Sequence, residues 1–350
     1  MAALYAPYKA IGMVTDGNPF VVNRLGDETF LMTSIGSMFQ VYRLDHLTLC
    51  LASQSVIGRI KAAPDKPISC LQAVGTETFA AVGSAILVFD RTRIVRTYDL
   101  HAAPILGMLV VGKLLLSYDE AGVVNVIDTK QRSVVSKLES TRQGGAHMST
   151  AVHPATYLNK FVFGYTNGAL ELWNINKRAL VYTFASHVGF FADASEVPSG
   201  TVPAVTALEQ SPACDVVGVG FATGHILLLN LKLDLVLFSF RQDSGGVTSL
   251  SFRTDASVHP HMASGSTDGR VHIWNLGAKN TALDADDDSD DDRSFRKLER
   301  KLQNTIEECH GGHVSRVYFL HGEPILVTAS ADNSLKVRVR VRDKVRVRVR

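Results

Sequence analysis

Seven short stretches, spread over almost the whole chain, share one pattern: SMFQVY, SAILVF, VVNVI, ALELW, HILLL, RVHIW and SLKVR. Each ends in an anchor: Tyr42, Phe89, Ile127, Trp173, Leu229, Trp274 and Arg338. One and three places before the anchor the residue is apolar; two places before, it is Gln40, Leu87, Asn125, Glu171, Leu227, His272 or Lys336. A period of two marks a strand with one face committed to a core and the other free to vary. The anchors lie 47, 38, 46, 56, 45 and 64 residues apart. A repeat of about 40–45 residues with several short strands per unit is the mark of propeller blades. No such unit buries both faces alone, so the units must stack around an axis.

The turn chemistry agrees. Thr166-Asn167-Gly168, Thr223-Gly224 and Thr267-Asp268-Gly269 each precede a unit, where a hairpin needs a residue tolerant of positive φ. FVFGY (161–165), VVGVGF (216–221) and ILVTAS (325–330) read as the preceding strands. The expected fold is all-β, a single seven-bladed propeller domain over residues 1–350. The last two units follow the WD40 pattern most closely. Ser266, Asp268 and Trp274 in one, and His313, Ser330 and Asp332 in the other, match the residues that hydrogen-bond inside a WD blade; Trp173 holds the tryptophan slot of the fourth unit. All seven are expected to be structural.

Three segments carry more than the generic repeat. HPATYLNKFVFGYTNGALELWNINKRALVYTF (153–184), FRQDSGGVTSLSFRTD (240–255) and EPILVTASADNSLKV (323–337) resemble the U-three-protein-twenty-one family of WD-repeat proteins. The resemblance runs from about Tyr8 to Val337, and its specific parts are TYLNK, FRQD and SFRTD. It implies a non-catalytic scaffold of nucleolar ribosome biogenesis. The implied partners are the other WD-repeat subunits of the UTP-B complex, further small-subunit processome proteins, and the particle of U3 small nucleolar RNA and ribosomal RNA precursor. The implied process is maturation of the 18S ribosomal RNA precursor, in the nucleolus. Family members look longer, with a second propeller and a helical C-terminal domain. The competing reading is a WD40 adaptor of another complex, such as a ubiquitin-ligase substrate receptor.

Composition bears on partners. The formal net charge of +2 is misleading, because residues 336–350 hold two Lys, six Arg and one Asp and so contribute +7, leaving about −5 for the rest. The body of the chain is not a general polyanion binder; cationic signals are local. Four scattered cysteines without CxxC spacing suit reduced thiols. The longest apolar stretch, ILLLNLKLDLVLFSF, is broken by Asn230, Lys232 and Asp234, so no membrane span is expected. No phosphate-loop, HExxH or GxSxG motif occurs, and GVGFATG (218–224) has the wrong glycine spacing for a dinucleotide loop. Cys309, His310 and His313 lack the further ligands of a closed zinc site. His259-Pro260-His261 reads as solvated loop. No catalytic residue, cofactor, metal or small-molecule substrate is therefore expected.

Two segments break the composition. DADDDSDDD (284–292) holds seven aspartates in nine residues and reads as a disordered insertion between blades, part of an acidic and helical stretch over 278–308. Ser289, followed by three aspartates, resembles an acidophilic-kinase site. Phe295, Leu298, Leu302 and Ile306 recur at helical spacing, which predicts a short amphipathic helix before the last blade. The Val/Arg tail, 339–350, continues the strand alternation of the last unit, with Asp343-Lys344 as a turn into a fourth strand. Two other readings stand beside that one: a disordered or artefactual end, and an RNA-phosphate contact through Arg340, Arg342, Arg346 and Arg348. Arg338, in the slot of Trp173 and Trp274, is expected to weaken its blade.

Overall fold

A computed structural model describes residues 5–12, 15–60, 65–139, 146–192, 201–243, 245–254, 260–276, 302–306 and 309–340. It is a propeller of seven four-stranded antiparallel sheets. The seven repeat units are the third strands of the blades: Met38–Arg43, Ala85–Asp90, Val123–Asp128, Leu170–Asn174, His225–Asn230, Val271–Asn275 and Ser334–Arg340. The alternating runs ahead of them are the second strands, Lys160–Tyr165, Val216–Phe221 and Ile325–Ser330 among them. The glycines closing the intervening turns, Gly168, Gly224 and Gly269, have φ of +82°, +86° and +88°, backbone that L residues rarely adopt.

The ring closes differently from expectation. In blade seven the outermost strand is Tyr5–Gly12, antiparallel to Ser334–Arg340 with Tyr5 opposite Arg340 and Gly12 opposite Ser334. The place foreseen for residues after the Asp343-Lys344 turn is thus held by the N-terminal strand. Pro7 fits there because an outermost strand has a side that needs no N–H donor. Residues 341–350 lie outside the described residues.

Blade six corrects a second expectation. Leu302–Ile306 is its outermost strand, paired with Val271–Asn275 so that Leu302 faces Trp274 and Ile306 faces Val271. Residues spaced for a helix were taken up by a vacant sheet edge, whose backbone groups need partners. The acidic stretch therefore interrupts a hairpin within blade six rather than a junction between blades; residues 277–301, with Ser289, lie outside the described residues. The one helix among the described residues is Ser186–Ala192, between blades four and five.

The core is a set of interblade layers. Between blades one and two, Phe39, Ile68, Leu71, Val82, Leu87 and Phe89 pack together, and the pattern recurs round the ring. Consequently both faces of the middle strands are covered. The positions read as freely variable are buried in several blades: Leu87, Asn125, Glu171, Leu227 and His272. Small residues on the second strands admit the next blade. A Cβ on Gly220 would lie 2.5 Å from Val247 Cγ1, on Gly164 2.6 Å from Val205 Cγ1, and on Gly265 2.8 Å from Val314 Cγ1. Blade three puts Tyr118 in that slot, and Gly107 beside it makes the room: a Cβ there would sit 2.2 Å from Tyr118 Oη. Gly220→Ala is expected to cost about 1–3 kcal/mol, since rigid Val247 cannot yield without moving the blade. Urea denaturation of the variant checks this.

Candidate functional site

The polar residues of the blades form buried hydrogen-bond networks, best developed in blade seven. Thr328, on the second strand, is the hub. Arg338 Nη1 donates to Thr328 Oγ1 at 2.9 Å, and His310 Nε2 lies 2.9 Å from the same oxygen. His310 Nδ1 is 3.2 Å from Asp332 Oδ2 and 2.9 Å from Ser334 Oγ. Asp332 in turn accepts the Gly311 N–H at 2.8 Å and the Ser334 hydroxyl at 2.6 Å. Burial above all lowers the pKa of His310, to about 4, with Lys336 and Arg338 adding to the shift and Asp332 opposing it. The neutral ring then accepts from Thr328 through Nε2 and donates through Nδ1. Asp332 is held well below the usual carboxylate range by these donors against the opposing effect of burial.

Sequence reasoning placed two members of this network wrongly. His313 is exposed; His310 occupies the histidine position. Ser330 sits one pleat beyond Thr328, donating to the Gly312 carbonyl at 2.9 Å and accepting from Asp332 N at 3.1 Å, in the turn rather than at the hub. Blade six repeats the offset. Trp274 Nε1 donates to Ser264 Oγ at 2.9 Å, and Gln242 Nε2, in place of a histidine, donates to the same oxygen at 2.8 Å. Ser266 instead accepts Asp268 N at 3.4 Å, while Asp268 Oδ1 accepts Arg270 N at 3.1 Å.

Two further networks were not foreseen. In blade four Trp173 Nε1 and Tyr165 Oη both donate to Glu171 Oε2, each at 2.7 Å. In blade three His101 lies between Ser117 Oγ at 2.8 Å and Asp119 Oδ2 at 2.9 Å, with Asn125 Nδ2 3.1 Å from Nε2. The Ser–His–Asp connectivity resembles a nucleophilic triad. Ser117 and Asp119 have no exposed surface, however, and no substrate carbonyl can reach the hydroxyl.

Among the described residues no group of three or more His, Cys, Asp or Glu is placed to hold a metal. Cys309 packs against Thr328, its thiol pKa raised by burial. His261, read as solvated loop, opens the second strand of blade six and is buried, because that strand is covered on both faces. On the first strand of blade five, burial pushes the Glu209 carboxyl up to about 7, with Arg316 pulling the other way. Arg340 ends the third strand of blade seven; Arg342, Arg346 and Arg348 lie outside the described residues.

The comparisons with known proteins place this architecture. The family described as "WDR36/Utp21 first beta-propeller" matches residues 31–339. The chain belongs to the WDR36/Utp21 family. It is 33% identical over 339 residues to WD repeat-containing protein 36 of Homo sapiens, covering 96% of this chain and 33% of that protein. It is 31% identical over 337 residues to the U3 small nucleolar RNA-associated protein 21 homolog of Schizosaccharomyces pombe, covering 95% of this chain and 32% of that one. The chain thus spans about a third of the length of the curated relatives it matches. A chain in the crystal structure of the mitotic checkpoint complex shares the fold alone: TM-score 0.71, 15% identity, with 96% of this chain and 91% of that one covered.

Proposed function

We propose that the chain is a non-catalytic WD-repeat scaffold in nucleolar ribosome biogenesis. It takes part in small-subunit processome assembly and 18S ribosomal RNA precursor processing with U3 small nucleolar RNA. The observation that carries this reading is the match of residues 31–339 to the first propeller of the WDR36/Utp21 family, together with relatives named as U3 small nucleolar RNA-associated. The physical chemistry supports it. The buried histidines, acids and hydroxyls are spent on holding blades together, and what remains for function is a rigid ring of turns and outer strands. Its partners are the other UTP-B WD-repeat subunits and the U3 RNA–precursor particle, and its place is the nucleolus. Ser289 is a phosphorylation site of the acidic segment, and the Val/Arg tail with Arg340, Arg342, Arg346 and Arg348 is a secondary RNA contact.

Affinity purification of the tagged protein from nuclear extract is expected to recover U3 RNA and UTP-B subunits, and depletion to leave unprocessed 18S precursor. Recovery of ubiquitin-ligase subunits without U3 RNA would sink this reading.

A further inference from the structure

Because strands alternate in direction, the turns between first and second strands and between third and outermost strands emerge on one face of the ring. On that face, in blades two to four, six cations stand in or beside these turns: Arg91, Arg93, Lys130, Lys160, Lys177 and Arg178. None of the six makes an ion pair among the described residues, and Lys160 Nζ lies 5.1 Å from the Tyr157 ring centroid. Two carboxylates of the same turns are already neutralised, Glu77 by Arg132 at 2.7 Å and Asp128 by Lys113 at 2.7 Å, leaving Asp90 exposed. Blade one ends the arc: its turns carry Asp27, Glu28 and Asp45, with Arg43 paired to Glu28 at 2.6 Å.

Conformation does not account for these arginines. Arg91, Arg132 and Arg178 have φ of +56°, +55° and +53°. Glycine or asparagine is the low-energy choice there, yet three successive blades hold arginine. The turns are also fixed relative to one another: Arg96 Nη1 donates to the Arg132 carbonyl at 2.8 Å, and Arg132 reaches back to Glu77. Ser136 Oγ, donating to the Ile175 carbonyl at 2.8 Å, ties blade three to blade four in the same way, so the turns that carry the cations keep set positions along an arc.

We propose that this arc binds the phosphodiester backbone of RNA without regard to sequence. The proposal rests on the reading of the chain as a scaffold of a U3 RNA particle and assigns part of the RNA contact to a surface. Cations present in each of three successive blades, with exposed Gln131 and Asn176 beside them, suit a chain of successive phosphates. Beside Lys160 the arc also offers the half-buried Tyr157 ring and the 87% exposed Leu158, a surface on which an unpaired base stacks and which the carboxylates of an acidic peptide do not use.

The test uses the full 350-residue chain and a labelled single-stranded RNA of about 30 nucleotides, titrated at several salt concentrations. Combined Arg91→Glu, Arg93→Glu, Lys177→Glu and Arg178→Glu changes are expected to weaken binding at least about tenfold and to flatten the salt slope by about 0.7 per lost contact. The pair Arg91→Gly and Arg178→Gly relieves left-handed backbone, so it folds at least as well as the parent and still loses affinity. Repeating both in a chain ending at residue 340 separates the arc from the Val/Arg tail. Unchanged affinity and slope in these variants overturn the proposal, as does arc-dependent binding of poly-aspartate without binding of RNA. Purification of U3 RNA with the tagged chain is scored separately. U3 recovery with arc-independent RNA binding removes the arc and leaves the scaffold; arc-dependent RNA binding without U3 recovery does the reverse.

Discussion

Removing residues 1–12 is expected to lower the stability of the ring by about 3–6 kcal/mol, whereas removing 341–350 costs less than about 0.5 kcal/mol. The asymmetry follows from which strand closes the propeller. Ser334–Arg340 has Ile325–Ser330 on one side and Tyr5–Gly12 on the other, with seven register partners on the N-terminal strand. Each ladder hydrogen bond is worth about 0.5–1.5 kcal/mol net, and an orphaned buried N–H or carbonyl costs more. Deletion also turns the third strand into an open edge whose unpaired N–H and carbonyl groups can pair with other chains. Urea denaturation of the two truncations, with light scattering to detect association, gives the comparison. Greater loss on removing 341–350 would mean that the tail, not the N-terminus, supplies the closing strand.

How much of this was legible before the structure depends on the range of the interaction. Blade number and third-strand positions follow from a two-residue period and a bulky anchor, both local, and the WDR36/Utp21 kinship from segments such as TYLNK and FRQD. Closure is a pairing between Tyr5 and Arg340, and no periodicity in YAPYKAIG names its partner. The edge strand Leu302–Ile306 failed for a related reason: LQNTI has no strong preference, and the sheet edge of blade six decided its state. The hub residues were missed more narrowly. Thr328 and Ser330, like Ser264 and Ser266, are two apart on one strand, so alternation puts both on the same face and cannot choose between them. Glu171 stands at a position that the two-residue period leaves free to vary, whereas the ring buries both faces of the strand. Once both faces are known to be buried, a carboxylate between Tyr165 and Trp173 has to be a hydrogen-bond acceptor.

Arg338 stands in the tryptophan slot where the repeat puts it, and the structure gives it a partner there. The residue is 4% exposed, and its guanidinium donates to Thr328 as Trp274 donates to Ser264, at the same 2.9 Å and at the equivalent register. The blade keeps the indole's hydrogen bond and gains a buried charge. Arg338→Ala removes both the donor and the packing and is expected to cost about 3–5 kcal/mol. Arg338→Trp restores the donor without the charge and is expected to fall within about 1 kcal/mol of the parent or to stabilise it, since replacing a buried ion by a packed neutral group is often favourable.

The two variants also separate through pH. His310 titrates at about 4 in the fold against 6.5 as a free side chain, so as pH falls below 6.5 the unfolded chain takes up its proton first. The stability this supplies is complete above pH 6.5 and is lost as pH falls toward 4, at up to about 1.4 kcal/mol per unit. Burial is the main cause and Lys336 the stronger of the two like charges, but Arg338 contributes. Arg338→Trp should therefore raise the His310 pKa and make the acid loss smaller. Other histidines with lowered pKa, His101 and His272 among them, contribute equally to both proteins and cancel in the difference. Denaturation series between pH 4 and 7, with the His310 resonance followed by NMR, test the link. An unmoved His310 pKa in a folded Arg338→Trp chain would show that the guanidinium serves this blade through its hydrogen bond alone.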